Sequence, residues 1–368
     1  MTTIEIPNGA NLDPYFKANR KDTRFVLGEG TYFCESAWNF EQYGWTMLGP
    51  GCALVGAGSR RTALVIGKDS IPESAWQVEN LTAGNRDGCS DSVELTGFTL
   101  FCASDAKPMA RVCGQVGIHV WSDRAIIRDV EIRGVTGVLP TDSKHPSREG
   151  FGLLVNGPGR AVKCRGGAII ENVRVGVIGN RESKDGLVYV CAVYPGYVEP
   201  EEYTVARNVH VLTDPGVKAT VAYGFNSKVI ASGLTSQGRW GRAIFCDTDG
   251  GHDVLVSDCI FDVEGTGLEL HGNEWSDVFV VSSRFRFRFQ NPTVTDFGAG
   301  VVLRGINRFE DFARIGMVGC VLEAEAGTKV PHYAGSVKGP ASDVGLQGCR
   351  MIGPWNGQST NHPAWKVT

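Results

Sequence analysis

SKVIASGLTSQGRWGRAIFCDTDGG (residues 227–251), HDVLVSDCIFDVEGTGLELHGNEW (252–275) and SDVFVVSSRFRFRF (276–289), followed after an insertion by GAGVVLRG (298–305), are versions of one unit. When they are aligned, Ser227 falls over His252 and His252 over Ser276, a repeat of 25 and then 24 residues. Each copy holds a short apolar strand, a Gly-containing turn, a second short strand and a further turn, with almost no helical periodicity. A unit this short cannot bury its own apolar face. It must stack on copies of itself, as in a solenoid.

Outward from that stretch, the third residue of the first strand serves as a ruler: Phe98, Val130, Val173, Val209, Leu234, Cys259, Ser283, Cys320 and Cys349. Its spacings run from 24 to 43 residues, so a short rung recurs and is lengthened by loops at several turns. Nearly every member is apolar or a thiol, which marks an interior stack. The expected fold is all-β, a right-handed parallel β-helix of about 10 rungs with a short N-terminal capping helix. Residues 1–90 read as the cap and first rungs, 91–353 as rungs with cleft-forming loops, and 354–368 as a tail, all within one continuous domain. The tail, with Trp355 and Trp365, is expected to lie over the last rung or to meet another subunit.

Composition agrees. A solenoid grows along one axis, so 368 residues do not demand several domains. Glycine makes up 48 of them, and turns that recur in every rung favour a residue tolerant of positive φ. A net charge of −4 with no basic run argues against a nucleic-acid partner. The 11 cysteines show no CxxC pair or zinc spacing and read as free thiols acting as small hydrophobes. The opening MTTIEIPNGA has no signal-peptide pattern, and no apolar run is long enough to span a membrane. A cytoplasmic protein, or one released by lysis, is the expectation, with a trimmed leader as the alternative.

Within the cap, NLDPYFKANR (11–20) predicts a short helix with Asp13 as N-cap and Pro14 at the first helical position. Next come VLGEGTY (26–32) and LVGAGSRRTALVI (54–66). These resemble the opening of pectin-lyase-like β-helix proteins, and the resemblance runs through the rungs to about Gly353.

Alternation sorts the second strand of each unit. Leu268 and Leu270 point inward and Glu269 and His271 outward; Ile244 and Cys246 point inward and Phe245 and Asp247 outward. The later outward position reads Trp121, Asn156, Val190, Ala222, Asp247, His271, Arg304 down the rungs. Asp247, His271 and Arg304 should therefore form one row, with Glu269 beside it and Asp249 at the turn. Close carboxylates next to an imidazole and a cation can separate their pKa values and divide acid and base work. Stacked ion pairs on a solvated face are the competing reading.

Insertions at 139–150, 179–186, 192–203 and 290–298 would wall this face into a cleft. Lys144 could reach in from the rim, and His119, Trp121, Tyr194, Trp240 and Trp275 could contact sugar, each aromatic also open to plain packing. Asp253 and Asp277 recur before successive strands, which reads as turn chemistry; joining Asp249 around calcium is the alternative, and no metal or other cofactor is predicted. The sequon at Asn80 carries little weight.

The family resemblance implies carbohydrate chemistry. Its polygalacturonase-like members spread NTD, DD, GHG and RIK motifs over consecutive rungs; DTDG (247–250), HG (271–272) and RG (304–305) are similar in order, whereas the DD pair and the Gly before His271 are absent. The leading expectation is a glycosidase or transglycosidase. Asp247 would be the general acid, Glu269 or Asp249 the base or nucleophile, His271 a relay, and Arg304 a substrate clamp. A polysaccharide lyase and a non-catalytic, phage-type glycan-binding spike are the alternatives. The expected partner is an oligo- or polysaccharide, with no membrane and with side-by-side trimerisation left open.

Overall fold

The computed structural model describes residues 1–19, 21–34, 38–39, 47–66, 78–84, 92–102, 115–122, 124–135, 150–155, 167–177, 188–193, 202–214, 218–225, 228–247, 252–271, 276–288, 303–305, 313–324, 333–334, 343–353 and 365–367. The coil beginning at His252 shows the plan: strands His252–Ser257, Ile260–Val263 and Thr266–His271 each lie on a different face. Each of these three pairs in parallel with its counterpart one coil away, as His252 does with Ser276, Ile260 with Arg284 and Thr266 with Arg242. The chain is a parallel β-helix. Hydrogen bonding joins the first two faces into a 22-stranded sheet and the third into an 11-stranded sheet. Among the described residues, only Trp38–Asn39 pairs antiparallel, against Val78 and Glu79.

The ruler residues are interior: Phe98, Val130, Val173, Val209, Leu234, Cys259, Ser283 and Cys320 are buried and Cys349 is half-buried. They sit at the corner between the first two faces, and not in the third place of the first strand. The residue before each one is left-handed: Gly97, Asp129, Asn172, Asn208, Gly233, Asp258, Ser282, Gly319 and Gly348 have φ between 49° and 73°. Gly, Asn and Asp visit this region at least cost. The side chains also bond along the axis, Asn172 Nδ2 donating to Asp129 Oδ1 at 3.1 Å and Asn208 Nδ2 to Asn172 Oδ1 at 3.2 Å. At the next coil Gly233 takes the place at φ +64°, and a Cβ there would lie 2.7 Å from Asn208 Oδ1, displacing that side chain.

One continuous core runs from Ile6 to Leu346. Its aromatic residues stack coil on coil, Phe261 lying 5.0 Å from Phe285 and 5.8 Å from Tyr223 between ring centroids. At the N-terminal end, helix Asp13–Ala18 drives Phe16 against Phe25 at 5.0 Å and places Leu12 in the same core. Its cap differs from expectation: Leu12 is the N-cap residue and Asp13 the first helical one, and Asn11 Oδ1 accepts from the Asp13 amide at 3.1 Å. At the other end Trp365–Val367 pairs in parallel with Val344–Leu346 and adds a strand to the first face.

The third face contains a bend that strict alternation conceals. Ala243, Ile244 and Cys246 belong to the interior, whereas Arg242 stacks on Phe245, which belongs to a separate apolar cluster with Val116, Phe151, Leu154 and Val221. Two consecutive residues thus face inward, and small residues hold the place in most coils, Gly117, Gly152, Ala222, Ala243 and Gly267, with Val190 the exception. A Cβ at Gly117 would lie 2.5 Å from the Gly152 carbonyl oxygen. The bend therefore leaves two outer rows that are buried at the described positions, one through Val116, Phe151, Val221, Arg242 and Thr266 and one through His119, Leu154, Phe245 and Glu269.

Candidate functional site

The first outer row runs Thr82, His119, Leu154, Ala192, Gly224, Phe245, Glu269, Arg304. Two residues further along each strand, Asp247 pairs with His271. Asp247 and His271 are thus neighbours as expected. Arg304 is not in their row: it pairs with Glu269, while Leu303 pairs with Leu268 and Gly305 with Leu270. This displacement by two residues keeps Leu303 in line with the interior leucines. Four ionisable residues on three successive rungs result, with Asp247 and Glu269 about 8 Å apart at Cα from the rung spacing and the residue rise. The side chains of Asp247, His271 and Arg304 lie outside the described set.

Glu269 does not stand in an open row. It is fully buried, and Arg242 Nε donates to its Oε2 at 2.6 Å. The Arg242 side chain is only 10% exposed, and its guanidinium carbon lies 4.9 Å from the Phe245 ring centroid. A short, charge-assisted contact of this kind, backed by an aromatic face, holds both groups in place. The alternation reading missed Arg242 because counting back by twos from Ile244 puts it inside. The available signal was an arginine within the otherwise apolar run WGRAIFC, two residues before Ile244.

The remaining candidates fall elsewhere. His119 and Trp121 are both buried and stack with ring centroids 4.2 Å apart. They lie five rungs from Glu269, about 24 Å along the axis, so the structure does not bring them to the carboxylates. Trp240 is an interior residue with no exposed surface, its Nε1 donating to Gln237 O at 3.1 Å, which removes it from any cleft. Asp249, Lys144, Tyr194 and Trp275 lie outside the described residues, as do most of the four insertions.

On the first face, Asp253 and Asp277 are register partners. Asp253 accepts from the Tyr203 hydroxyl, which pushes the phenol pKa up, and Asp277 pairs with Arg314. These aspartates serve neighbouring coils, and among the described residues no group of three or more His, Cys, Asp or Glu is placed to hold a metal. Asn80 is fully buried and donates to the Val116 carbonyl at 2.7 Å, so its sequon is closed to a glycan.

No family model matches the chain, and no curated protein matches it. Among solved structures it is similar to the A-module of the mannuronan C-5 epimerase of Azotobacter vinelandii, at 15% identity over 96% of this chain and 92% of that one, with a TM-score of 0.40. It is also similar to the endo-xylogalacturonan hydrolase of Aspergillus tubingensis, at 10% identity over 96% of this chain and 93% of that one, with a TM-score of 0.47. These likenesses bear on no residue of the site.

Proposed function

We propose that the protein is a carbohydrate-active enzyme that cleaves or transfers a glycosidic bond on the outer side of its third face, around Asp247 and His271. The observation supporting this reading is the register: Asp247 beside His271, and Glu269 beside Arg304 on the adjoining row. Asp247 acts as general acid on the leaving oxygen, and the neighbouring imidazole exchanges its proton. Glu269 is anchored by Arg242, so it fixes the charge around the site, and the base or nucleophile role passes to His271 or Asp249. Arg304 engages a hydroxyl or carboxylate of the sugar.

The test is incubation of the purified protein with neutral and uronate oligosaccharides, followed by mass spectrometry. Products carrying one added water, or transferred sugar, are expected, and Asp247→Ala abolishes them. Unsaturated uronates, detected by ultraviolet absorbance, would replace this reading with β-elimination. Glycan binding without any product would replace it with a binding spike.

A further inference from the structure

Four successive coils place Cys259, Ser283, Cys320 and Cys349 in one corner column. Cys259 and Cys320 are separated by Ser283, two rungs or about 9.6 Å, beyond the roughly 7 Å limit between Cα atoms for a disulfide. Cys320 and Cys349 are different. They occupy adjacent rungs, as shown by the pairing of Val321 with Arg350 and by the Arg350 amide, which donates to the Cys320 carbonyl at 2.8 Å. Neighbouring strands lie about 4.8 Å apart, inside the window of about 4.4–6.8 Å that a disulfide spans.

The Cys349 sulfur leans toward the coil of Cys320. Cys349 Sγ reaches back to the Met317 carbonyl of the preceding coil at 3.2 Å, and Cys320 Sγ lies 3.3 Å from the Val280 carbonyl. Both thiols are free in this structure. Their environments are unequal: Cys320 is buried and Cys349 half-buried. The hydrogen bond from Cys320 holds the Cys349 thiol down to about 7, whereas the same bond and burial push Cys320 up. Burial likewise pushes up Cys34, Cys102 and Cys259.

We propose that Cys320 and Cys349 form a reversible dithiol–disulfide pair that staples the coil of residues 343–353 to the one before it, with Cys349 as the attacking thiol. The oxidant is a low-molecular-weight disulfide. The Cys349 thiolate attacks one of its sulfurs, forming a mixed disulfide and expelling one thiolate. Cys320 then attacks the Cys349 sulfur and expels the second thiolate. The two protein protons end on the two released thiols, and the oxidant takes up both electrons.

The test uses the full native chain and oxidised glutathione, read by intact mass and by peptide mapping. The expected result is loss of two hydrogens, mapped to a Cys320–Cys349 crosslink and reversed by dithiothreitol. Cys320→Ser should stop at a glutathione adduct on Cys349, and Cys349→Ser should leave Cys320 unmodified. Serine already stands in this column at Ser283, so both variants suit the corner. A wild-type protein that accumulates only the adduct, crosslinks other cysteines or stays unmodified would overturn the proposal. None of these outcomes depends on the protein's activity toward sugars.

Discussion

Replacing Glu269 by alanine exposes what the Arg242 pair contributes. Glu269 has no exposed surface and its partner's side chain only 10%, so the substitution leaves a guanidinium in a site built to neutralise it. Removing one member of a buried pair costs about 3–5 kcal/mol, because the remaining charge stays desolvated with that compensation gone. The Phe245 contact offsets none of this, because it is present before and after the change. Arg242→Met combined with Glu269→Met removes both charges, and such exchanges are often neutral or stabilising. A double-mutant cycle should therefore return a coupling energy near the top of the roughly 0.5–3 kcal/mol range for contacting residues. Urea unfolding followed by circular dichroism measures the totals. Hydrogen exchange in strand Thr266–His271 checks that the loss is local, since a solenoid can unfold by parts. A cost below about 1 kcal/mol for Glu269→Ala, or strict additivity in the cycle, would refute a buried, mutually dependent pair.

Gly84→Ala should destabilise the early coils by more than about 1 kcal/mol, because Gly84 has φ +99° and its new Cβ would collide with the Trp121 backbone; thermal melting measures it. Asn172→Ala breaks both Asn172 links of the corner ladder, and a loss of about 1–2 kcal/mol is expected in urea, with little change if solvent replaces both bonds. His210 is held below its usual 6.5 by partial burial and then by Arg174, so its charged form is disfavoured in the fold. Its contribution is intact above that value, is lost as pH falls through the window beneath it, and stops changing once His210 protonates in the fold. NMR titration should show a depressed midpoint that rises in Arg174→Gln; an unmoved midpoint would remove Arg174 as a cause.

The fold was legible because one column repeats. The column from Phe98 to Cys349 marked an interior stack by its mostly apolar or thiol character, though not that it lies at a corner, and the spacing of Ser227, His252 and Ser276 matches the register found. Two features were not legible. Arg304 was set in the row of His271 by matching the glycines that follow them, yet it pairs with Glu269. A slip of two residues preserves which side faces inward, so the hydrophobic pattern cannot detect it; only a slip of one would. The bend at Ala243 was hidden for a related reason: alternation assumes a straight strand, and small residues permit it to fail locally. Both errors bear on the site more than on the fold. The core tolerates either register, whereas a catalytic pair depends on a single one.

The corner ladder also governs where this chain can change length. Between the first and second faces most coils pass through two residues, as at Asp129–Val130, Asp258–Cys259 and Ser282–Ser283, and one passes through six, between Val55 and Thr62. The passage from second to third face is as short as Val263 to Thr266 in one coil and as long as Phe287 to Leu303 in the next. The corner is thus the tighter turn of the winding, held to two residues in nearly every coil, while a dozen more at the other turn leave the strand pairing unchanged. Loops can therefore be grafted where the chain enters the third face without rewinding the molecule.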